Sequence, residues 1–273
     1  RHVGFPNAVV ARIVPNAAGP RQPQGPQAAQ APQGRQGEQG LPLHGEHGPH
    51  GDDPLQVAVE EYHEWLVDAR GIVEPAPVVD GMQLVDHLEA YAERKLFGLN
   101  GGHAIVAYLG HLLGYPTIDA AIRDPLVRAT FLGALVETGL MLTRRHGFAE
   151  AEQARYAASL LRRFENPALS DSVERVGRDP LRKLAPGDRL VRPAHLAVEE
   201  GIWPVCLARG IAAGYLFDAP GDPQALELRE LVEREGLPTA LATVSGIEPS
   251  SLLGEMVQAE YSRLCRLRYP ARG

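Results

Sequence analysis

The sequence predicts a mainly α fold with a few strands at its start, and three observations carry that expectation. From Met82 almost to the C-terminus, apolar residues recur at the three-to-four spacing of amphipathic helices. β-Branched residues gather before that point, in residues 3–14 (V-G-F-P-N-A-V-V-A-R-I-V) and around residues 65–67. Helix punctuation marks the later part: Asp124 stands before Pro125, and Gly147 follows a long apolar-periodic run.

Residues 3–14 read as one or two short strands. Residues 16–52 are a tract of Gly, Pro, Gln and Ala whose large apolar side chains are Leu41 and Leu43. So little burial cannot offset the entropy of ordering, which predicts a disordered insertion in a surface loop, where added length costs little. Its His44, His47 and His50 recur every third residue, a pattern open to metal capture or to a plain composition effect. Structure resumes at Pro54, with Val57, Val59 and residues 65–67 extended and half-buried, and Asp80-Gly81 as a turn. Leu84, Val85, Leu88, Tyr91 and Ala92 then lead as a helix into a glycine-bearing motif. Further helices are expected over residues 125–145, 150–164, 200–217, 223–235 and 249–268. Residues 165–196 read as a charged loop region broken by Pro167, Pro180, Pro186 and Pro193. Asp119 and Asp124 read as caps, and Trp65 and Trp203 as packing aromatics.

The 273 residues suffice for one large or two small domains with an ample core. A net charge of −7 argues against a nucleic-acid or acidic-membrane partner, since both recruit basic surfaces. Cys206 and Cys265 lie far apart with no metal-binding spacing, so they read as reduced buried thiols of a cytoplasmic protein. No apolar run reaches the roughly 18 residues that a membrane span needs. The chain opens at Arg1 directly in a strand-like pattern, which reads as a truncated product.

The run R-K-L-F-G-L-N-G-G-H-A-I (residues 94–105) gathers a cation, an amide and an imidazole beside two glycines. On a regular helix Lys95, His103 and Asn100 point near about 0°, 80° and 140°, one shared polar face. Each glycine costs roughly 1 kcal/mol against alanine in a helix, so something must approach the backbone closely. Lys95 is open to two readings, a snorkelling surface lysine or a general base whose pKa is lowered by burial and by a neighbouring cation such as Arg94. Asn100 could stabilise a developing oxyanion, and His103 gains meaning from that company. A second constellation places Arg175, Arg178, Arg182 and Lys183 in the proline-broken region. It is either an anion site for phosphate or carboxylate, or a solvated loop balanced by Glu165, Asp171, Glu174, Asp179 and Asp188. No glycine-rich dinucleotide fingerprint follows a strand, and no P-loop, nucleophile elbow or zinc-helix motif is present.

At these residues the chain resembles the polyol-specific long-chain (mannitol) dehydrogenase family. The resemblance is carried by K-L-F-G-L-N-G-G-H-A-I, R-F-E-N-P (residues 163–167), V-E-R-V-G-R-D-P-L-R-K-L (173–184) and G-D-R-L (187–190). It is supported by H-V-G-F (2–5), R-I-V-P (12–15) and D-P-L-Q-V-A-V-E (53–60). It implies an N-terminal Rossmann domain that binds NAD and a helical C-terminal domain that supplies catalytic groups, with no metal. This chain would then hold the end of the nucleotide-binding domain (residues 1–15), the insertion (16–52) and the helical catalytic domain (53–273). The resemblance implies Lys95 as the base on a substrate hydroxyl, Asn100 and His103 as its oxyanion partners, and Arg175 and Lys183 as ligands of the polyol or its phosphate.

The implied reaction interconverts mannitol 1-phosphate and fructose 6-phosphate with NAD, on a small-molecule polyol phosphate. A free polyol or a uronate handled by the same family is the alternative. Two departures matter. Relatives carry V-D-R-I at the first strand, where this chain has V-A-R-I with Ala11, and the long insertion is unusual. They leave room for a third reading, a non-catalytic helical module without its cofactor domain.

Overall fold

The computed structural model describes residues 6–12, 60, 62–73, 75–76, 78–169 and 171–268. The expected insertion over residues 16–52, with its histidines and with Val57 and Val59, lies outside the described residues. Three short strands form one sheet in the order β1-β2-β3: β1 (Ala8–Ala11), β2 (Glu64–Asp68) and β3 (Met82–Val85). β1 pairs antiparallel to β2, with Val10 opposite Trp65, and β3 runs parallel to β2, with Trp65 opposite Met82. Leu66 and Ala11 turn inward and are buried, while Val10 and Leu84 stay exposed. The expected helix over Leu84 and Val85 is therefore a strand. It is too short for periodicity to separate the two states.

Helices make up most of the chain beyond this sheet. α1 (Leu88–Arg94), a π-helical segment (Lys95–Asn100) and α2 (Gly101–Leu112) run on as one rod. After α3 (Ile118–Ala121) come α4 (Pro125–His146) and α5 (Glu150–Phe164). Asp124 caps α4 by accepting from the backbone N–H groups of Leu126 and Val127 (2.8 and 3.2 Å), and Gly147 closes it at φ 73°. Asp119 sits inside the first turn of α3 and caps nothing.

The proline-broken region is more helical than its sequence suggests: α6 (Val173–Gly177), α7 (Pro180–Lys183) and α8 (Val191–Glu199) all lie within or beside it. Pro193 is tolerated because it falls in the first turn of α8, where no intrahelical N–H bond is lost. The helix expected from residue 200 begins later, as α9 (Val205–Tyr215), after a break at Gly201 (φ 70°) and Pro204. α10 (Pro223–Glu235), α11 (Leu237–Ser245) and α12 (Leu252–Arg268) complete the bundle, and α11 is an addition to the elements expected.

α9 is the axis, packed against α2, α4 and α12. Ile211, Ala212 and Ala213 are fully buried on it, and Gly210 and Gly214 let it approach Ile105 and Tyr108 of α2. α4 is long and apolar enough to cross a bilayer, with a mean hydropathy of 1.4. It is nonetheless a core helix, burying Val127, Phe131 and Met141, and its buried Glu137 accepts from the N–H groups of Cys206 and Leu207 to cap α9. Cys206 and Cys265 are free thiols and only partly buried. Trp203 is 65% exposed, so it is not the packing aromatic expected, whereas Trp65 is half-buried on β2.

Candidate active site

A cleft of about 320 Å³ opens between the rod α1–π–α2 and the α6–α7–α8 region, with Arg12 just past β1 closing one side. Lys95, Asn100 and His103 all line it from the rod. The polar face expected from the motif exists, although its pitch is different. The π segment carries Lys95 at its first position and Asn100 at its last, so a wider turn, and not a uniform 100° step, brings them to one side. Arg175, Arg178, Arg182 and Lys183 line the opposite wall, joined by Arg189. The basic segment is thus folded into the cleft and is not a solvated loop. Asp171 is the one carboxylate among the described residues that line it.

The glycines turn out to serve the protein's own packing. A Cβ on Gly101 would meet the backbone oxygen of Arg189 at 2.6 Å, and one on Gly102 would meet the Phe131 ring at 2.6 Å. Phe131 in turn packs on Phe164 (5.2 Å between centroids), and Phe164 stacks beneath His103 (4.7 Å, 24° between planes). Gly102 therefore permits the aromatic column that levels the imidazole. Gly101 lets the chain before α8 close onto the α1–π–α2 rod.

Lys95 donates its Nζ to the carbonyl oxygen of Val10 in β1. Burial lowers its pKa and Arg163 adds to that, while Glu64 opposes it. Arg94 is not the expected neighbour. It points away, paired with Glu64 (2.9 Å) and Glu152 (2.5 Å) beneath the rings of Tyr91, Phe148 and Tyr156. His103 is pushed down to about 3 by burial and by Arg175, Lys183, Arg163 and Arg189, so its imidazole is neutral. Its Nε2 lies 3.7 Å from Asp171 Oδ2.

Asp171, 3% exposed, also accepts from Arg175 Nη2, so it links both walls. Lys183 is buried and donates to the backbone oxygens of Val176 (2.6 Å) and Arg178, fastening the end of α6. Burial and the nearby Arg189 and Arg182 bring it down to about 7. An ammonium has three N–H donors, so one remains for a ligand.

Arg12, Asp171, Arg189 and the aromatic pair Phe131 and Phe164 were not singled out as site residues from the sequence. Asp171 and Arg189 lie within or beside the motifs that carry the resemblance. Arg12 and Phe164 also fall in such motifs, R-I-V-P and R-F-E-N-P, whereas nothing local marks Phe131, which reaches the site through tertiary packing.

The described residues form no cradle for a dinucleotide. Among the described residues the direct strand-to-helix turn is Asp86-His87, between β3 and α1. It has no glycine to admit a diphosphate to the backbone. No three His, Cys, Asp or Glu side chains among the described residues converge to hold a metal ion.

Comparisons with known proteins match both parts of the chain. Residues 87–265 match the mannitol dehydrogenase C-terminal domain, and residues 1–81 match the mannitol dehydrogenase Rossmann domain. The Pseudomonas fluorescens mannitol 2-dehydrogenase, solved as a ternary complex with NAD and D-mannitol, superposes with a TM-score of 0.69 at 27% identity. That match covers 98% of this chain and 52% of that one. A D-sorbitol dehydrogenase solved in substrate-free form shares the fold, with a TM-score of 0.66 at 19% identity over 97% of this chain and 52% of that one. The chain thus spans about half the length of the solved structures it matches. With the helical domain matched over most of the chain, this protein belongs to the mannitol dehydrogenase family.

Proposed function

We propose that this chain carries the substrate side of an NAD-dependent mannitol-1-phosphate 5-dehydrogenase, a cytoplasmic enzyme interconverting D-mannitol 1-phosphate and D-fructose 6-phosphate. The observation that carries the reading is the cleft itself. Lys95, Asn100 and His103 line one wall, and five cations line the other, in a chain whose net charge is −7. A phosphorylated polyol spans that distance in chemistry: a carbinol at one end, a dianion at the other. The redox partner, NAD, is implied by the family, and the described residues do not cradle it. What this chain's own groups do is handle the proton and the charge.

Lys95, with its pKa lowered by burial, accepts the proton of the carbinol hydroxyl as that carbon is oxidised to a ketone. Asn100 donates to the oxygen as negative charge develops. A neutral His103 can also donate there without carrying a charge of its own. Arg175 and Lys183 hold the far end of the polyol, Arg175 oriented by Asp171 and Lys183 offering its remaining N–H.

The test joins this chain to a complete dinucleotide-binding domain of the family and compares Lys95→Met with the parent. A positioned general base contributes about 10²–10⁴-fold, so turnover should fall by that order while substrate binding persists. Undiminished turnover would remove Lys95 from the mechanism.

A second reading, a mannitol 2-dehydrogenase, is favoured by one observation: Arg175, Arg182 and Arg189 each have a carboxylate partner, so the wall is partly neutralised without a ligand. Comparing rates on mannitol and on mannitol 1-phosphate separates the two.

A further inference from the structure

The G-D-R-L motif contributes a cleft cation to which the proposed reaction gives no individual role. Arg189 lies in the link before α8, and the missing Cβ of Gly101 lets its backbone oxygen rest against the catalytic rod. Asp188 accepts from both the backbone N–H and the Nε of Arg189, each at 2.7 Å, which fixes the guanidinium in one orientation. The side chain is 15% exposed, and that exposure is to the cleft. Its two terminal nitrogens have no protein partner among the described residues. The other inner cations are more committed. Arg175 is bound to Asp171, and Lys183 spends two of its three donors on carbonyl oxygens. Arg182 is half exposed, reaching Asp179 at 3.5 Å and Asp188 at 3.8 Å.

We propose that Arg189, seated by Asp188 and Gly101, is the residue that fixes the phosphate of a polyol phosphate and so sets the preference over the free polyol. The inference rests on the phosphorylated substrate of the proposed function. A guanidinium with its Nε already tied down presents a preorganised pair of terminal N–H groups, and a phosphate accepts them side by side. Because the same residue's backbone leans on Gly101, the phosphate is held at a fixed distance from Lys95, Asn100 and His103. Arg182, sharing Asp188, adds charge at the rim.

The experiment measures affinities of the full chain for D-mannitol 1-phosphate and for D-mannitol by calorimetry, in the parent, Arg189→Met and Arg189→Lys. Inorganic phosphate serves as competitor, and circular dichroism checks the fold. The parent should prefer the phosphorylated polyol, with inorganic phosphate competing. Arg189→Met should lower the ratio of the two affinities by about tenfold or more, the scale of one charged hydrogen bond in a partly buried site. Arg189→Lys should fall between, since it keeps the charge without the fork. A parent that prefers phosphate and an Arg189→Met or Arg189→Lys chain that keeps the full preference overturn the assignment of Arg189 alone. A parent with no preference overturns both this inference and the phosphorylated substrate. If the methionine variant does not fold, the lysine variant decides.

Discussion

Two sets of arginines in this molecule look alike in sequence and do opposite things in the fold. Arg94, Arg163 and Arg209 are each matched to carboxylates: Arg94 to Glu64 and Glu152, Arg163 to Glu60 through two bonds, Arg209 to Glu260. These pairs tie the small sheet to the bundle and α9 to α12. In the cleft, Arg175, Arg178, Arg182, Lys183 and Arg189 share only Asp171, Asp179 and Asp188 as ion-pair partners among the described residues. Charge matched by countercharge stabilises contact between elements. Charge left in surplus and crowded together costs stability, and a ligand of opposite sign offsets that cost. The number of carboxylates within reach, and not the number of cations, separates a strut from a binding wall.

The sharpest way to break the comparison is to remove one partner from the matched set. Arg163 and Glu60 have side chains only 7% and 5% exposed, and Arg163 also lies over the Tyr62 ring at 4.2 Å. Arg163→Met takes the guanidinium away from a buried carboxylate, and breaking a buried pair costs about 3–5 kcal/mol in comparable cases. Chemical denaturation should show that loss, whereas Arg178→Met, at an exposed position on the cleft, should change stability by no more than about 0.5 kcal/mol. Equal losses from the two substitutions would erase the distinction between strut and wall.

The next test acts on the joint between the rod and the wall. Gly101→Ala places a methyl 2.6 Å from a backbone oxygen, which cannot swing aside as a side chain can. Overpacking of this kind costs about 1–3 kcal/mol. Because the displaced atom belongs to Arg189, the affinity for mannitol 1-phosphate should fall together with the melting temperature. A Gly101→Ala chain with the parent's stability and affinity would show that the close contact sets neither.

How much of the fold and site is legible in the sequence depends on how local each feature is. α4, α5 and α10 begin and end close to where Pro125, Gly147, Glu150 and Pro223 put them, because capping is a local affair of a few residues. The polar face of Lys95, Asn100 and His103 is also visible there, since all three lie on one continuous rod. The π turn within it is not, because no residue type marks a wider helix. The glycine pair announces a close approach, but what approaches is Arg189 from 88 residues on and Phe131 from α4, which only tertiary packing decides. The basic segment stays balanced between loop and site for the same reason. α6, α7 and α8 are too short or too proline-rich to announce themselves by periodicity; Asp222 and Lys183 tie the junction of α6 and α7, and α8 is held by burial of Val191, Ala194 and Ala197. Asp222 accepts from the backbone N–H of Asp179 at 2.7 Å, and Lys183 holds the last carbonyls of α6.

The surplus charge of the cleft should also be felt in acid, with a smaller effect. His103 is held near 3 against an ordinary 6.5, first by burial and then by Arg175, Lys183, Arg163 and Arg189. In the unfolded chain this imidazole takes up a proton below about 6.5, while in the folded chain it stays neutral until about 3. The unfolded state therefore binds more protons across that window, so stability contributed by the neutral imidazole is complete above pH 6.5 and drains away as the pH falls. One group of this kind adds at most about 1.4 kcal/mol per pH unit. His103→Gln removes the titration while keeping a polar side chain on the Phe164 ring, so its stability should fall less steeply than the parent's between pH 6 and 4 by about that slope or less. An acid limb identical in parent and variant would mean that neither burial nor the cleft's cations hold the His103 imidazole below its ordinary value in the folded chain.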